Sequence, residues 1–301
     1  MSRTSSWHGY LLAILAACGW ASGGLVSKWI FTTQVMSPEV YAAARVWSAA
    51  LLLGIWLIVF NRAKLRVEPS MRGWLFLAVF GGVGVIGMQY TYLKTISLTS
   101  VATAILLEYL APIFTLVAGV VFLKHELRWQ KIVAVIGSVA GCAIAVGVFQ
   151  PGGLTASPKG IAWGLSAALF FALYTIMGSV GNDTFDPITL LFYGFFFASI
   201  VWLFTLGPTT ILSAFSRPSL AIVIITSSLI STVLSFGAYL VALKTISATS
   251  ATIAAMLEPI VASLGAAVLF SERLTPSLVI GGVLILGSIA YLQSTGVEKP
   301  A

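Results

Sequence analysis

Apolar residues along this chain run in long blocks separated by short polar breaks. A helix that crosses the roughly 30 Å hydrocarbon layer of a membrane needs about 20 mostly apolar residues. Windows of that kind occur at 9–31, 39–60, 73–93, 98–123, 131–149, 160–181, 187–206, 219–243, 248–270 and 277–294. The breaks carry helix-ending and helix-starting residues: Ser37-Pro38, Gln150-Pro151-Gly152-Gly153, Asn182-Asp183, Asp186-Pro187 and Arg217-Pro218. No connection is long enough to fold as a water-soluble domain. The pattern predicts an all-α integral membrane protein with ten transmembrane helices.

Composition agrees. Of 301 residues 59% are apolar and only 8% charged, with a mean hydropathy of +1.03. A soluble domain carries about a quarter of its residues charged; this chain cannot cover itself with water and must be solvated by lipid. Its net charge of +7 sits in short clusters between apolar runs, such as Arg62, Lys64, Arg66 and Arg72. No basic face alternates with stacking aromatics, so nucleic acid is not an expected partner.

The cysteines Cys18 and Cys142 both fall inside apolar windows and read as small buried residues, with no disulfide framework and no metal-ligand spacing. Leu15-Ala16-Ala17-Cys18 matches a lipid-attachment signal. The apolar run continues past it to about Val26, so a membrane span is expected rather than a cleaved leader.

The chain contains an internal repeat. Leu93-Lys94-Thr95-Ile96-Ser97 recurs as Leu243-Lys244-Thr245-Ile246-Ser247, and at the same offset Thr99-Ser100 becomes Thr249-Ser250 and Glu108 becomes Glu258. Glu126-Leu127 corresponds to Glu272-Arg273-Leu274. Gly9 and Gly160 open comparable helices, and Pro38 and Pro187 precede comparable ones. Two halves are therefore expected, at 1–150 and 151–301, each with five spans. An odd number of spans makes the second half enter the membrane from the opposite side, giving two inverted five-helix repeats.

Lys and Arg counts set the expected orientation. With the N-terminus inside, Arg3, Arg62, Lys64, Arg66, Arg72, Lys124, Arg128, Lys131, Lys244 and Lys299 lie in cytoplasmic segments. Lys28, Lys94, Lys159, Arg217 and Arg273 lie outside. The bias puts both termini in the cytoplasm.

The sequence resembles the drug/metabolite transporter superfamily, specifically its EamA-type ten-helix exporters. The resemblance rests on two copies of one pattern. Leu-Leu-Glu-Tyr-Leu-Ala-Pro-Ile-Phe (106–114) leads to Phe122-Leu123-Lys124-His125-Glu126-Leu127, and Met-Leu-Glu-Pro-Ile-Val (256–261) leads to Leu269-Phe270-Ser271-Glu272-Arg273-Leu274. Trp20-Ala21-Ser22 with Lys28 on the first helix, and Arg45 on the second, also resemble the family pattern. Size and helix number look most like the bacterial amino acid exporters, the aromatic ones included. The resemblance implies a secondary transporter of the bacterial inner membrane that exports amino acids or related small metabolites by alternating access. A multidrug or nucleotide-sugar carrier of the same superfamily is the alternative. Small multidrug pumps of the superfamily use a Glu on their first helix, and this chain has none there.

Candidate chemistry concentrates in the spans. Glu108 and Glu258 lie about ten residues into their helices, roughly 15 Å along the axis and near the midplane. A carboxylate there is costly unless paired, hydrated or protonated. It could hold a substrate ammonium or carry a proton; the alternative is a neutral group that helps break its helix. Both sit beside prolines, Pro112 and Pro259, which remove an amide donor and kink the chain. Broken helices at matching places in two halves point to a transporter's binding site. Arg45 reads as a structural group near the outer end of its helix, with a carboxylate partner as the alternative.

Gln89, Tyr90 and Tyr92 follow the stretch Gly81-Gly82-Val83-Gly84-Val85-Ile86-Gly87, and the eighth window carries Ser231, Thr232, Ser235, Gly237 and Tyr239. These either line a cavity or, for the tyrosines, anchor at the interface. Trp20, Ser22, Trp163 and Tyr174 are expected to line the cavity. The run Phe192-Tyr193-Gly194-Phe195-Phe196-Phe197 is expected to face lipid. Gly137-Ser138-Val139-Ala140-Gly141 is a small-residue motif for one close helix contact, within the bundle or across a homodimer.

An enzyme is not expected: there is no pair of intramembrane Asp, no His cluster (His8 and His125 fall at helix ends) and no Gly-x-Ser-x-Gly elbow. A phosphate-cradling loop is missing too, so neither ATP nor any other cofactor is expected. A channel or scramblase would call for a charged ring or carbonyl filter. The expected partners are a small-molecule substrate, an amino acid, and the lipid bilayer, with the chain a monomer.

Overall fold

The computed structural model describes residues 3–33, 35–67, 70–122, 124, 126–149, 157–270 and 275–295. Within these the protein is helical, in ten spans. They are α1 (Arg3–Thr32), α2 (Pro38–Phe60), α3 (Met71–Leu98), α4 (Val101–Glu108 and Ala111–Val121), α5 (Trp129–Ala145), α6 (Pro158–Gly181), α7 (Pro187–Leu206), α8 (Pro218–Ala242), α9 (Ala248–Ala255 and Glu258–Phe270) and α10 (Pro276–Thr295). A short helix, Pro208–Ser213, lies between α7 and α8. Nine described helices have the length and apolarity to cross a membrane, and α5 is a shorter apolar helix. Glu272, Arg273, Leu274 and Ser271, the Gln150–Gly153 break, Leu123, His125 and Lys299 lie outside the described residues.

Helix starts repay their cost with caps, because an amide left bare in lipid costs several kcal/mol. Ser37 and Ser157 accept from Val40 and Gly160, Asp186 accepts from Ile188, and each precedes a proline at the first helical position. Proline has no amide to satisfy there and its fixed φ suits a helix start. Ser100 and Ser247 cap α4 and α9 in the same manner.

Two features depart from uninterrupted spans. Helices α4 and α9 are each broken in the middle, at Tyr109–Leu110 and at Met256–Leu257. Each break directly precedes the second piece's early proline, Pro112 or Pro259, where the missing amide ends the ladder. Helices α3 and α8 each contain a π turn, Phe80–Val85 and Ser228–Leu234, near the same place in the two halves. A π turn is a local widening common at functional sites.

Glycines set the close contacts. A Cβ on Gly141 of α5 would stand 2.9 Å from the Gly281 carbonyl of α10, and one on Gly137 2.7 Å from Ser288. The small-residue motif thus packs α5 against α10 inside one chain. In the aromatic run of α7, Phe195 is fully buried and Phe192 and Phe197 are half-buried. Only Phe196 is well exposed, so the expectation that the run faces lipid is corrected. Its inner side fills the α3 contact, where a Cβ on Gly194 would stand 2.9 Å from the Phe80 ring.

Candidate functional site

A cavity of about 40 Å³ lies between the repeats. Its walls come from α1 (Trp20, Gly23, Gly24), α2 (Arg45), α3 (Met88, Gln89, Tyr92), the α4 break (Glu108, Tyr109), α6 (Phe171), α8 (Phe236) and α9 (Glu258). Helices α5 and α10, occupied with each other, supply none of it. Each breaking proline places a glutamate beside the cavity: Glu108 ends the first piece of α4 and Glu258 begins the second piece of α9.

The two carboxylates are held differently. Tyr109 donates to Glu258 Oε2 at 2.7 Å and shares its hydroxyl with the Ala255 carbonyl at 2.6 Å, while Tyr92 donates to Glu258 Oε1 at 3.4 Å. The Ala255 carbonyl is one the helix break leaves open, and the single hydroxyl proton of Tyr109 is shared between it and the carboxylate. Glu108 is equally buried, yet receives no hydrogen bond among the described residues.

Arg45 overturns its expected place near the interface. It is 6% exposed and lines the cavity. Its Nε donates to Thr232 Oγ1 at 3.2 Å, and Nη2 donates to Thr232 Oγ1 at 2.9 Å and Ser231 Oγ at 3.1 Å. Both hydroxyls sit in the π turn of α8, whose widened register presents consecutive residues to one neighbour. Tyr41 stacks under the guanidinium, 5.5 Å from its ring centre. None of the three ion pairs among the described residues involves Arg45, Glu108 or Glu258.

Gln89 and Trp20 complete the polar lining with unspent capacity. Both amide atoms of Gln89 and the Trp20 indole N–H are buried without a hydrogen-bond partner. A buried polar group without a partner costs about 1–3 kcal/mol, so each of these groups is suited to bond water or a bound solute. The remaining expected residues scatter. Tyr239 and Tyr174 are fully buried around Trp20 and Phe80, Tyr239 bonded to Thr175 at 3.0 Å and the Tyr174 hydroxyl without a partner. Neither reaches an interface, and neither lines the cavity. Ser235 bonds to the Ile230 carbonyl within the π turn at 2.8 Å and packs on Gly19. Ser22 is exposed and bonds back to Gly19, so it leaves the site. Tyr90 and Trp163 meet edge-on at 5.5 Å away from the cavity lining, and Tyr90 donates to Glu39 at 3.0 Å. Tyr109, Phe171, Phe236 and Met88 also line the cavity; in the sequence the position of Tyr109 directly after Glu108 is the one signal that points to them.

Two inverted five-helix halves around a polar cavity near the middle of their spans are the architecture of a multi-pass membrane transporter. The chain belongs to the EamA-like transporter family, whose model matches residues 7–147 and 158–293. It is 26% identical over 291 residues to an uncharacterized inner membrane transporter of Salmonella typhimurium, covering 96% of each chain. It is 23% identical to a protein of Rickettsia bellii named as an S-adenosylmethionine uptake transporter, over 94% of this chain and 91% of that one. A crystal structure at 16% identity superposes with a TM-score of 0.76 over 98% of both chains, which shows a shared fold.

Proposed function

We propose that this transporter moves small amino acids and related zwitterionic metabolites outward across the bacterial inner membrane by alternating access. Both its termini are cytoplasmic and it works as a monomer. The observation that carries the reading is a cavity lined by one guanidinium, Arg45, and two carboxyl groups, Glu108 and Glu258, joined by no ion pair. A zwitterion supplies the missing partner to each side, whereas a simple cation or anion leaves one side unmatched. Aromatic walls at Trp20, Tyr92, Tyr109, Phe171 and Phe236 favour an apolar side chain on that solute and can receive an ammonium.

At about 40 Å³ the cavity holds little more than a water. A substrate therefore enters only when the halves rearrange, which suits a cycle that opens to one side at a time. The Rickettsia bellii relative favours a second solute within the same chemistry, since S-adenosylmethionine itself ends in an α-amino-acid group. Proteoliposomes offered labelled amino acids, S-adenosylmethionine, nucleosides and cationic drugs, with and without a pH gradient, test the reading. Movement of amino acids supports it; movement of only drugs or nucleosides overturns it.

A further inference from the structure

We infer that Arg45 is the specificity-determining residue of this transporter, receiving the carboxylate of its substrate. The inference rests on the amino-acid reading of the cavity and deepens it. A buried guanidinium is costly and normally finds a carboxylate. This one is 6% exposed, and its hydrogen bonds go only to the hydroxyls of Ser231 and Thr232. Those neutral acceptors occupy Nε and Nη2. Nη1 has no hydrogen-bond partner among the described residues, on a side chain that lines the cavity. Nη1, with both its N–H groups unused, can still donate to a carboxylate, which binds a guanidinium better than any neutral acceptor does.

The surroundings hold the guanidinium in place. Thr232 and Ser231 hold the planar head in one orientation, Ser231 being fixed in turn by its bond to the Ser227 carbonyl at 2.7 Å. Tyr41 backs the guanidinium and is itself tied to Ser227 at 3.1 Å. Gly23 of α1 faces the group, and a Cβ there would stand 3.8 Å from Nη2 and closer still to Ser231, at 2.6 Å. The bare backbone at Gly23 thus leaves room for the cradle. Gln89, with both amide atoms unpartnered in the same cavity, can donate to the same carboxylate. Glu258, on the far side of the charge balance, is left for the ammonium.

The test uses full-length protein in liposomes with three matched probes: L-phenylalanine, phenethylamine (which lacks the carboxylate) and 3-phenylpropionate (which lacks the amine). Wild type should prefer L-phenylalanine over phenethylamine by about a hundredfold, as a site built for a missing polar group rejects its absence. Arg45→Lys keeps the charge and loses the planar guanidinium, and should slow L-phenylalanine about tenfold while narrowing that preference. Thr232→Val, which releases the cradle without touching the charge, should narrow it in the same direction and serves if the lysine variant does not fold. An unchanged preference in the folded variants, or wild type that takes phenethylamine equally well, overturns the role of Arg45 alone. Movement of phenylpropionate together with L-phenylalanine at no cost sustains Arg45 while removing the need for an amine. Movement of no carboxylate at all overturns both this inference and the amino-acid reading.

Discussion

Tyr109 of the first repeat donates its hydroxyl to Glu258 of the second at 2.7 Å. That bond sews the break in α4 to the break in α9. Tyr109 follows Glu108 in the chain, so the residue after one repeat's glutamate secures the glutamate of the other. The two pseudo-equivalent carboxylates are consequently unequal: Glu258 is clamped by two tyrosines and Glu108 by none among the described residues.

This inequality gives the first prediction. Glu258→Gln keeps the size while removing the titratable proton and one of the two acceptor oxygens, and should cut amino-acid transport in proteoliposomes at least tenfold (roughly, on the scale of one lost charged hydrogen bond). Glu108→Gln should cut it as well, by a smaller factor. Normal rates for both variants between about pH 5.5 and 8 would remove the pair from the mechanism.

Tyr109→Phe isolates the clamp. It deletes one hydroxyl that serves both Glu258 and the Ala255 carbonyl, leaving a buried acceptor open. The melting temperature in detergent should fall by an amount matching about 1–3 kcal/mol, and transport should fall with it. A silent variant would show that water replaces the hydroxyl.

Much of this was legible in the chain. Span boundaries, the repeat and the helix breaks follow from hydropathy, spacing and proline, which are local signals. Arg45 was misplaced because depth along a helix says nothing of rotation: seven residues after Pro38 reads as near the interface, yet the side chain turns inward onto α8. Ser22 failed in the opposite sense, its neighbour Trp20 turning inward while Ser22 faces out. The π turns were hidden because they arise from packing between helices, though the glycines at 81, 82 and 84 marked one of them.

Glu39 at the start of α2 joins α2 to α3, accepting from Lys94 at 2.8 Å and from Tyr90 at 3.0 Å. The pair is about one-quarter exposed, so its loss should cost at most about 1 kcal/mol of stability. Its effect on access should be larger. A Cβ at Gly24, beside the cavity, would meet only Tyr92 at 3.6 Å and Val101 at 3.9 Å, so Gly24→Cys is a tolerated reporter. An impermeant maleimide should label it faster from the α1–α2 side when Lys94→Gln is added. Equal labelling rates would show that the pair does not close that end.

Orientation has its own test. Lys64→Cys and Arg128→Cys should resist an impermeant maleimide added outside cells, while Lys159→Cys should react. Cys142 is buried and Cys18 half-buried, so the native background is low. Reaction at position 64 would invert the topology.

The last prediction concerns pH at the opposite end of the bundle. Asp186 caps α7 through Ile188 at 2.9 Å and pairs with Lys64 at 2.9 Å. Partial burial pushes its carboxyl upward, but the Lys64 and Ile188 hydrogen bonds outweigh that, and the net shift is below the ordinary value. A group depressed in the folded state stabilises it above its unfolded pKa and loses that contribution as pH falls through its folded value. The window therefore opens below about pH 4, the usual range for aspartate. Asp186→Asn keeps a capping oxygen and loses only the charge. At neutral pH wild type should melt above the variant by an amount within about 1 kcal/mol, the ordinary worth of an exposed pair. The difference should shrink as the buffer is taken from about pH 6 to 3.5, across the aspartate range. A gap that stays constant over that interval would mean the charge on Asp186 does not stabilise the fold, and that its capping oxygen is the part that matters.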